Sequence, residues 1–221
     1  MVFAAGFAQV GNVLREAWNR VVGIPELAGS LAGSRRPKKL WLRVLILRDE
    51  RGQPVATPED VEPALSEARR VLREQAGIEI VAAAEPLVGT LDGLAPREAL
   101  DSPCIKGSWQ ADFGPGGAFF RRHTAPVTKA SGARAPITVF VVRDVLGRAG
   151  CSLGPLVDYV TVDMSALRGG TGRVLVHELG HACGLPHSRA AQNLMLPSRM
   201  GERLFPWQVA VIRNSRHVTY A

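Results

Sequence analysis

Eleven residues near the end of the chain constrain its fold more than any other segment. Residues 177–187 read His-Glu-Leu-Gly-His-Ala-Cys-Gly-Leu-Pro-His. His177 and His181 are four positions apart, so on a helix they lie one turn apart on the same face. Gly184 can adopt the left-handed conformation that ends a helix. The segment therefore predicts a helix, a sharp turn and a loop that returns His187 toward the helix.

The three histidines of this segment are suited to bind one metal ion. A catalytic zinc site uses three protein ligands, often imidazole nitrogens, and leaves a fourth position to water. Glu178 lies about 100° around the helix from His177, so it can reach a metal-activated water without binding the metal. A carboxylate there can take the proton of the water and deliver it to a leaving amine. The pattern predicts His177, His181 and His187 as zinc ligands and Glu178 as general base.

The spacing of the residues in segment 177–187 rarely arises by chance. Five positions are fixed, and at residue frequencies of about one in twenty, chance would produce them in roughly fewer than one in 10⁴ chains of this length. Three of the five histidines of the chain lie in these eleven residues. We therefore disfavour ordinary helix histidines here. For His123 and His217 we expect the opposite, namely surface or hydrogen-bonded histidines outside any site.

The pattern His-Glu-x-x-His-x-x-Gly-x-x-His resembles the extended zinc signature of the metzincin metallopeptidases, and it matches that signature at every fixed position. These proteins also carry a methionine turn beneath the metal, and residues 193–197 (Asn-Leu-Met-Leu-Pro) are similar to it. Met195 lies eight residues after His187, at the short end of the family's range. The resemblance covers roughly residues 136–215 and does not assign a subfamily.

The resemblance implies both a fold and an activity. The fold would be α/β (α+β), with a metzincin-like twisted mixed sheet, a backing helix, the zinc helix and a small C-terminal subdomain. The activity would be that of a zinc-dependent endopeptidase with one catalytic Zn²⁺ and with Met195 supporting the site. A protein or peptide substrate would lie extended along the edge strand, expected at Tyr159–Asp163. Residues 196–199 would help line the pocket for the residue after the scissile bond.

Three further positions refine this expectation. Some metzincins place a Tyr two residues after the Met, where it binds zinc or stabilises the oxyanion. Pro197 stands there, so we expect three histidines plus water. The neighbours of Cys104 do not match the cysteine switch of some proenzymes. Cys183 lies on the side of the helix opposite the ligands, and we expect it in the core.

The remaining sequence predicts alternating strands and helices. Strands are expected at residues 40–47, 78–84, 136–142 and 158–163, the last shorter and more exposed. Thr57 is expected to cap a helix that ends at Gly77. Thr171 is expected to cap the helix that carries His177 and His181. A closing helix is expected from Phe205 to about Arg216, with Trp207, Val211 and Ile212 available for the core. Residues 86–135 are rich in Gly and Pro, and we expect short strands there, near 107–113.

We expect the chain to divide at residue 37. Residues 1–37 are expected to form an N-terminal amphipathic helix (8–22) and a linker of Gly, Ser, Pro and basic residues, and residues 38–221 the catalytic domain. We favour a helix that packs on the domain; a pro-segment or surface anchor is the alternative. A secretory signal is not evident, because no Lys or Arg precedes Arg15. Both a secreted and a cytoplasmic protein stay open.

Composition supplies the rival hypotheses. The net charge of +7 and the pI of about 10.0 would suit a basic, nucleic-acid-associated domain. The basic residues are scattered without interleaved aromatics, which argues against that role. A second rival is a zinc-binding adaptor without catalysis, although it would have no need of Glu178. We expect a monomer, and no transmembrane segment, since no stretch approaches about 18 uninterrupted apolar residues.

Three cysteines are too few for a disulfide scaffold, and their odd number leaves at least one unpaired within a monomer. We favour one disulfide, Cys104–Cys151, which would fit an exported protein.

Overall fold

The computed structural model describes residues 36–104, 112–126, 135–169, 172–197 and 201–220. The helix expected at 8–22, and nearly all of the strand expected near 107–113, lie outside these residues.

A mixed, twisted sheet of seven strands organises the described residues. The strands are Lys38–Ile46 (β1), Ile78–Ala82 (β2), Val88–Thr90 (β3), Ile137–Val142 (β4), Gly150–Ser152 (β5), Tyr159–Asp163 (β6) and Val218–Tyr220 (β7). The main order is β2-β1-β4-β6-β5, and β3 and β7 also pair with β1. Only the β5–β6 and β1–β7 pairs are antiparallel. The predicted α/β class with a mixed sheet is confirmed.

The expected edge strand is not at the edge. Tyr159–Asp163 is buried at every position and pairs with β4 on one side and β5 on the other. The edge is β5, Gly150–Ser152, a strand that the sequence did not indicate. The strand is shorter than β1 and β4, as predicted, but the prediction that it is more exposed was wrong. Its alternating pattern reflects burial against two different cores, with Tyr159 facing one and Val160 the other.

Six helices and one π turn complete the described part of the chain. The helices are Pro58–Val71 (α1), Arg97–Leu100 (α2), Pro115–His123 (α3), Met164–Gly169 (α4), Arg173–Ala182 (α5) and Pro206–Arg213 (α6). The π turn, Leu72–Ala76, extends α1 until Gly77 ends it in the left-handed conformation, as predicted. Among these helices, none is long and apolar enough to cross a bilayer.

The N-terminus of α1 follows the predicted capping box. The Asp60 amide donates to Thr57 Oγ1 at 3.3 Å, and the Thr57 amide donates to Asp60 Oδ2 at 2.8 Å. Val61, Leu65 and Ala68 then turn toward the sheet and are buried. The capped helix backs the sheet on the same face as α5.

Two hydrophobic cores lie on the two faces of the sheet. The larger one packs α1, α5 and α6 against one face and contains Met195 and Cys183. The smaller one packs α2 and α3 against the opposite face, where the rings of Phe120, Phe140 and Tyr159 meet at centroid distances of 4.8 to 6.0 Å.

Residues 112–113 and 115–117 of the glycine-rich region are helical, which the sequence did not predict. Helix α3 begins at Pro115, and a Cβ atom at Gly116 would lie 2.5 Å from the Glu98 carbonyl oxygen of α2. These glycines therefore allow two helices to approach closely, although glycine composition alone favours a loop.

The end of the chain returns to the sheet. Helix α6 is shorter than expected and turns Trp207 outward, at 45% exposure, whereas Ile212 is buried as expected. Beyond it, β7 pairs with β1. Arg213 and Arg216 are almost fully buried: Arg213 donates to the Ala76 carbonyl at 2.7 Å, and Arg216 forms an ion pair with Asp158. Two of the scattered basic residues that contribute to the net charge are therefore structural.

Candidate active site

Helix α5 ends at a left-handed turn that redirects the chain. Its N-cap is Gly172, with a φ of +74°; the cap predicted from the sequence, Thr171, lies outside the described residues. Gly184 follows the helix with a φ of +96°, as predicted. The Leu185 amide donates to the Gly180 carbonyl at 2.9 Å and closes the turn. The loop after the turn runs back beside the helix.

The turn brings together three imidazole rings, which we call the histidine cluster. One nitrogen from each of His177, His181 and His187 lies within 4.8 Å of the other two. Ring centroids are 4.8 Å apart for His177–His181, 4.6 Å for His181–His187 and 5.5 Å for His177–His187. His187 is exposed, whereas the other two rings are partly buried. The histidine cluster could hold one metal ion.

Main-chain carbonyl groups orient the two helical histidines. His177 Nδ1 lies 2.9 Å from the Leu194 carbonyl oxygen, and His181 Nδ1 lies 2.7 Å from the Leu185 carbonyl oxygen. Because a carbonyl only accepts, each Nδ1 donates its proton and each Nε2 keeps a free lone pair. Burial lowers the pKa of His177 to about 4 and also lowers the pKa of His181. Both rings are therefore neutral near neutral pH, which is the form that binds metals.

Glu178 lies between the histidine cluster and the edge strand. It is 7% exposed and packs on Gly150 of β5, where a Cβ atom would lie 2.8 Å from Glu178 Cγ. Burial raises the pKa of Glu178 to about 8, against the charge of Arg148 and a hydrogen bond from the Ser152 main chain. A carboxyl group with a pKa near neutrality is suited to accept and return a proton.

Met195 lies directly beneath α5. It is fully buried, and a Cβ atom at Gly180 would lie 2.7 Å from its Sδ atom. The Met195 amide donates to Asn193 Oδ1 at 3.0 Å, and the Ser188 amide donates to the Met195 carbonyl at 3.0 Å. Residues 193–197 are thus hydrogen-bonded to the segment that follows His187.

A buried amide pair fixes residues 193–197 to α6. Asn193 Nδ2 donates to Gln208 Oε1 at 2.7 Å, and Gln208 Nε2 donates to Asn193 Oδ1 at 3.1 Å. Gln208 Oε1 also accepts from the Phe205 amide at 2.8 Å, at the start of the helix. Sequence reasoning gave Gln208 no role, because its partner lies in a different element.

Arg173 ties the start of α5 to the same turn, and it too was not anticipated. Its guanidinium is almost fully buried, and its Nη2 donates to the carbonyls of Asn193, Leu194 and Leu196. The Leu194 carbonyl is also the acceptor for His177. One signal was available: the helix dipole disfavours a cation in the first turn, so an Arg there suggests a specific partner.

Two clefts meet at the histidine cluster. The arginine cleft, of about 220 Å³, is lined by Gly147, Arg148, Ala149, Gly150, Arg173, Val174, His177, Glu178, His187 and Pro197. The disulfide cleft, of about 380 Å³, is lined by Cys104, Arg148, residues 150–155, Glu178, His181, residues 184–186 and His187. Gly150 of the edge strand lines both clefts, so β5 runs past the histidine cluster from one cleft to the other.

The favoured disulfide is present beside the site. Cys104 is bonded to Cys151 of β5, which attaches the edge strand to the segment after α2. Cys183 is free and buried in the larger core, as expected.

Comparisons with known proteins leave the family open. No protein-family model matches the sequence, and no curated protein matches it. One solved structure similar to the chain is metalloproteinase-II from Bacteroides fragilis, with a TM-score of 0.47 and 11% sequence identity. The similarity covers 78% of this chain and 50% of that one, so this chain spans about half the length of that structure. A similarity at this level does not assign a function.

The other histidines lie apart from the histidine cluster. His123 Nδ1 lies 2.9 Å from the Phe119 carbonyl oxygen in α3. His217 is fully buried, its Nδ1 lies 2.7 Å from the Ala135 carbonyl oxygen, and burial lowers its pKa to about 3. Each ring thus has a main-chain partner, which fits the expectation of histidines outside a site.

A larger cavity than either cleft, of about 720 Å³, lies on the opposite face of the sheet beside Phe120, Leu153 and Tyr159. None of the three clustered histidines lines it. Its size therefore does not identify it as the site of chemistry, which follows the titratable groups.

Proposed function

We propose that the chain is a zinc-dependent endopeptidase of the metzincin type. The observation that carries the proposal is the histidine cluster with the buried Glu178 carboxyl group between it and a sheet edge. We assign the activity to residues 38–221 and regard residues 1–37 as a separate N-terminal segment. The extended signature and the residues 193–197 support the metzincin assignment over a generic zinc hydrolase.

The histidine cluster fits zinc in the number, type and protonation of its donors. Zinc favours imidazole nitrogen, and the carbonyl partners of His177 and His181 leave their Nε2 atoms available. Among the described residues, the group of potential ligands contains three side chains, which leaves a coordination position for water. Bound zinc would supply Lewis-acid chemistry, polarising the scissile carbonyl and activating water.

Glu178 is proposed as general base and then general acid. It would take a proton from the attacking water and deliver it to the amine of the cleaved bond. The Ser152 main chain and Gly150 hold the carboxyl group beside the edge strand. Met195 is proposed to support the site through its contact with α5 at Gly180.

The edge strand β5 is proposed to bind the substrate. An extended peptide can add to a sheet edge through main-chain hydrogen bonds, while its side chains enter neighbouring pockets. The two clefts on either side of the histidine cluster would receive the residues that flank the scissile bond. Pro197 lines the arginine cleft, as the resemblance implies for the pocket of the residue after that bond.

The disulfide between Cys104 and Cys151, beside the site, supports the proposal that the protein is exported. Disulfides persist in oxidising compartments and are rare in the cytosol. Titration of the purified protein under denaturing, non-reducing conditions should find one free thiol, that of Cys183. Three free thiols in protein purified from its native compartment would contradict the proposal.

Replacing Glu178 with Ala tests the mechanism. The variant should bind zinc with unchanged stoichiometry and lose cleavage of an unfolded protein by about 10²–10⁴-fold. Glu79→Ala, which removes an exposed carboxylate on β2, is the matched control and should cleave normally. Chelation should abolish cleavage and added zinc restore it. Unchanged turnover in Glu178→Ala would refute the mechanism, and wild-type protein that binds zinc without cleaving would favour the adaptor.

A further inference from the structure

The cavity of about 720 Å³ borders the edge strand β5 on the sheet face opposite the histidine cluster. We call it the apolar cavity, because its lining includes Phe120, Leu146, Cys151, Leu153 and Tyr159. It is larger than the arginine and disulfide clefts combined. Cys151 of β5 and Leu153 just after it also line the disulfide cleft. The apolar cavity and the proposed active site therefore meet at the same strand.

The register of β5 determines which face of the sheet each of its positions serves. Cys151 pairs with Thr161 of β6, and both line the apolar cavity. Gly150 pairs with Val162 and lies against Glu178, on the face of the histidine cluster. Because side chains alternate between the two faces of a sheet, a peptide added to β5 would direct successive side chains to opposite faces. Substrate residues that face the clefts would thus alternate with residues that face the apolar cavity.

We propose that this peptidase binds large apolar side chains of its substrate in the apolar cavity, at alternate positions of the strand that passes the histidine cluster. The inference rests on the proposed endopeptidase function and adds a second row of side-chain sites to it. Alternate residues of an extended strand lie about 7 Å apart. A space of about 720 Å³ is in the range that encloses a drug-sized ligand, so it can hold two such side chains.

The walls of the apolar cavity favour apolar groups. Phe120 and Tyr159 are buried, and the centroids of their rings lie 5.0 Å apart. The Tyr159 hydroxyl donates to Asp112 Oδ1 at 2.9 Å, so the polar end of this ring already has a partner. Leu153 packs against the same core. Aliphatic and aromatic side chains gain stability when they are buried against such surfaces.

The charged residues of the lining do not select a charged substrate side chain. Asp101 accepts from Arg143 Nε and Nη2, both at 2.7 Å, and also lies 3.5 Å from Arg97 Nε. A substrate cation would have to compete with two guanidinium groups for this carboxylate. Arg97 and Glu98 are exposed and carry opposite charges. The lining therefore offers apolar surface and no excess charge of either sign to a substrate side chain.

Leu146 provides exposed apolar surface at the entrance of the apolar cavity. It is 52% exposed and lies in the turn between β4 and β5. In this turn the Arg148 amide donates to the Val145 carbonyl at 2.6 Å, and the Val145 amide donates to Asp163 Oδ2 at 3.0 Å. The turn therefore holds Leu146 beside the edge strand. A substrate side chain that enters the apolar cavity would cover the exposed leucine surface, which favours binding.

Digestion of a random peptide library by the zinc-loaded full-length protein tests the proposal. Large apolar residues should be enriched at two positions that are separated by one residue, close to the cleaved bond. Pairs of peptides that differ only by Phe or Ala at a single position then measure each preference as a ratio of kcat/KM. At a position that faces the apolar cavity we expect a ratio of about 10 or more, the effect of burying an aromatic side chain.

Variants at Leu146 identify the positions that face the apolar cavity. Leu146→Asp should lower the Phe/Ala ratio by about threefold or more at those positions and leave it unchanged at the position between them. Leu146→Ala introduces no charge and should lower the ratio by less, whereas Leu146→Met should retain it. Leu94→Asp is the matched control, because Leu94 is 61% exposed and is not among the residues that line the apolar cavity. That variant should leave every ratio unchanged.

Cleavage without apolar enrichment, or Phe/Ala ratios that Leu146→Asp leaves unchanged at every position, would overturn the inference and leave the endopeptidase proposal intact. Absence of any cleavage by the wild type would refute the proposed function instead. Binding of the same peptides to the zinc-loaded protein, measured by fluorescence anisotropy, would then decide the inference. Tighter binding of a Phe peptide that Leu146→Asp weakens would support it, and equal affinities for the Phe and Ala peptides would overturn it.

Discussion

Gly150 provides the space that the Glu178 carboxyl group occupies. A Cβ atom at position 150 would lie 2.8 Å from Glu178 Cγ, 3.2 Å from Glu178 Oε1 and 3.1 Å from the Thr161 carbonyl oxygen. Ordinary contacts begin at 3.4 Å, so Gly150→Ala requires Glu178 to move by about 0.6 Å, the difference between 3.4 and 2.8 Å. The Thr161 main chain limits movement of the strand in the other direction.

This displacement should lower kcat and leave metal binding unchanged. A shift of about 1 Å in a catalytic group can cost about 10²-fold, so we expect a loss of about 10–100-fold. Zinc affinity should not change, because the three atoms nearest the added Cβ belong to Glu178 and Thr161 and not to a histidine. Replacing a strand glycine with alanine stabilises by about 0.5–1 kcal/mol, but overpacking costs about 1–3 kcal/mol. The net effect should be a destabilisation of about 1 kcal/mol.

Steady-state peptide cleavage, zinc titration and urea unfolding measure these three effects. Gly89→Ala is the matched control, since Gly89 also lies in a strand and its Cβ atom would have only Pro86 Cγ nearby, at 3.9 Å. That variant should be as active as the wild type and no less stable. Wild-type kcat in Gly150→Ala would refute the placement of Glu178 against the edge strand.

Three other perturbations have defined outcomes. Burial raises the pKa of Glu178 from 4.5 to about 8, so the metal-free folded state loses stability as the pH rises between these two values. Glu178→Gln removes this loss and should stabilise the metal-free protein at pH 7 by roughly 3 kcal/mol. Equal urea midpoints for the variant and the wild type would contradict this prediction. Replacing both Cys104 and Cys151 with Ser should lower the free energy of unfolding by about 4 kcal/mol, because the disulfide joins residues 47 positions apart. A decrease of less than about 1 kcal/mol, measured by urea unfolding, would argue against the disulfide. Arg173→Met removes the donor to three buried carbonyls and should cost about 2–4 kcal/mol and weaken zinc binding; unchanged melting temperature and zinc affinity would refute its positioning role.

The histidine cluster could be anticipated because its members are local in sequence. Helical periodicity places His177 and His181 on one face, and Gly184 specifies the turn that returns His187. The supporting groups could not be anticipated in the same way. Arg173 binds main-chain carbonyls, which any residue type supplies, so no side-chain pattern marks its partners.

The order of the strands in the sheet was harder to predict from the sequence than the positions of the strands. The long apolar runs marked β1 and β4 correctly, since parallel strands buried on both faces read as continuous hydrophobic segments. The edge strand Gly150–Ser152 has three small residues and no alternation, so nothing local distinguished it from a loop. Its pairing with β6 is a non-local contact, and the mistaken edge assignment follows from that.

Burial of basic residues was also hidden from the sequence. Arg213 and Arg216 look like scattered surface charges, yet each finds buried oxygen acceptors from distant segments, at Ala76 and at Asp158. Composition alone suggests that these two arginines add to a basic surface, whereas in the folded protein both are buried. Neither guanidinium is therefore available at the surface to bind a polyanion.

The position of β1 has a consequence for how the chain folds. This strand pairs with β2 and β3 on one side and with β4 and β7 on the other. Lys38 and Tyr220, which are partners in the last of these pairs, are separated by 182 positions, the difference of their numbers. High contact order slows folding, so the sheet should close late and only after nearly the whole domain has been synthesised. Truncation before β7 would remove the partner of Lys38–Leu40 and should destabilise the sheet, even though β7 contributes no residue to the site.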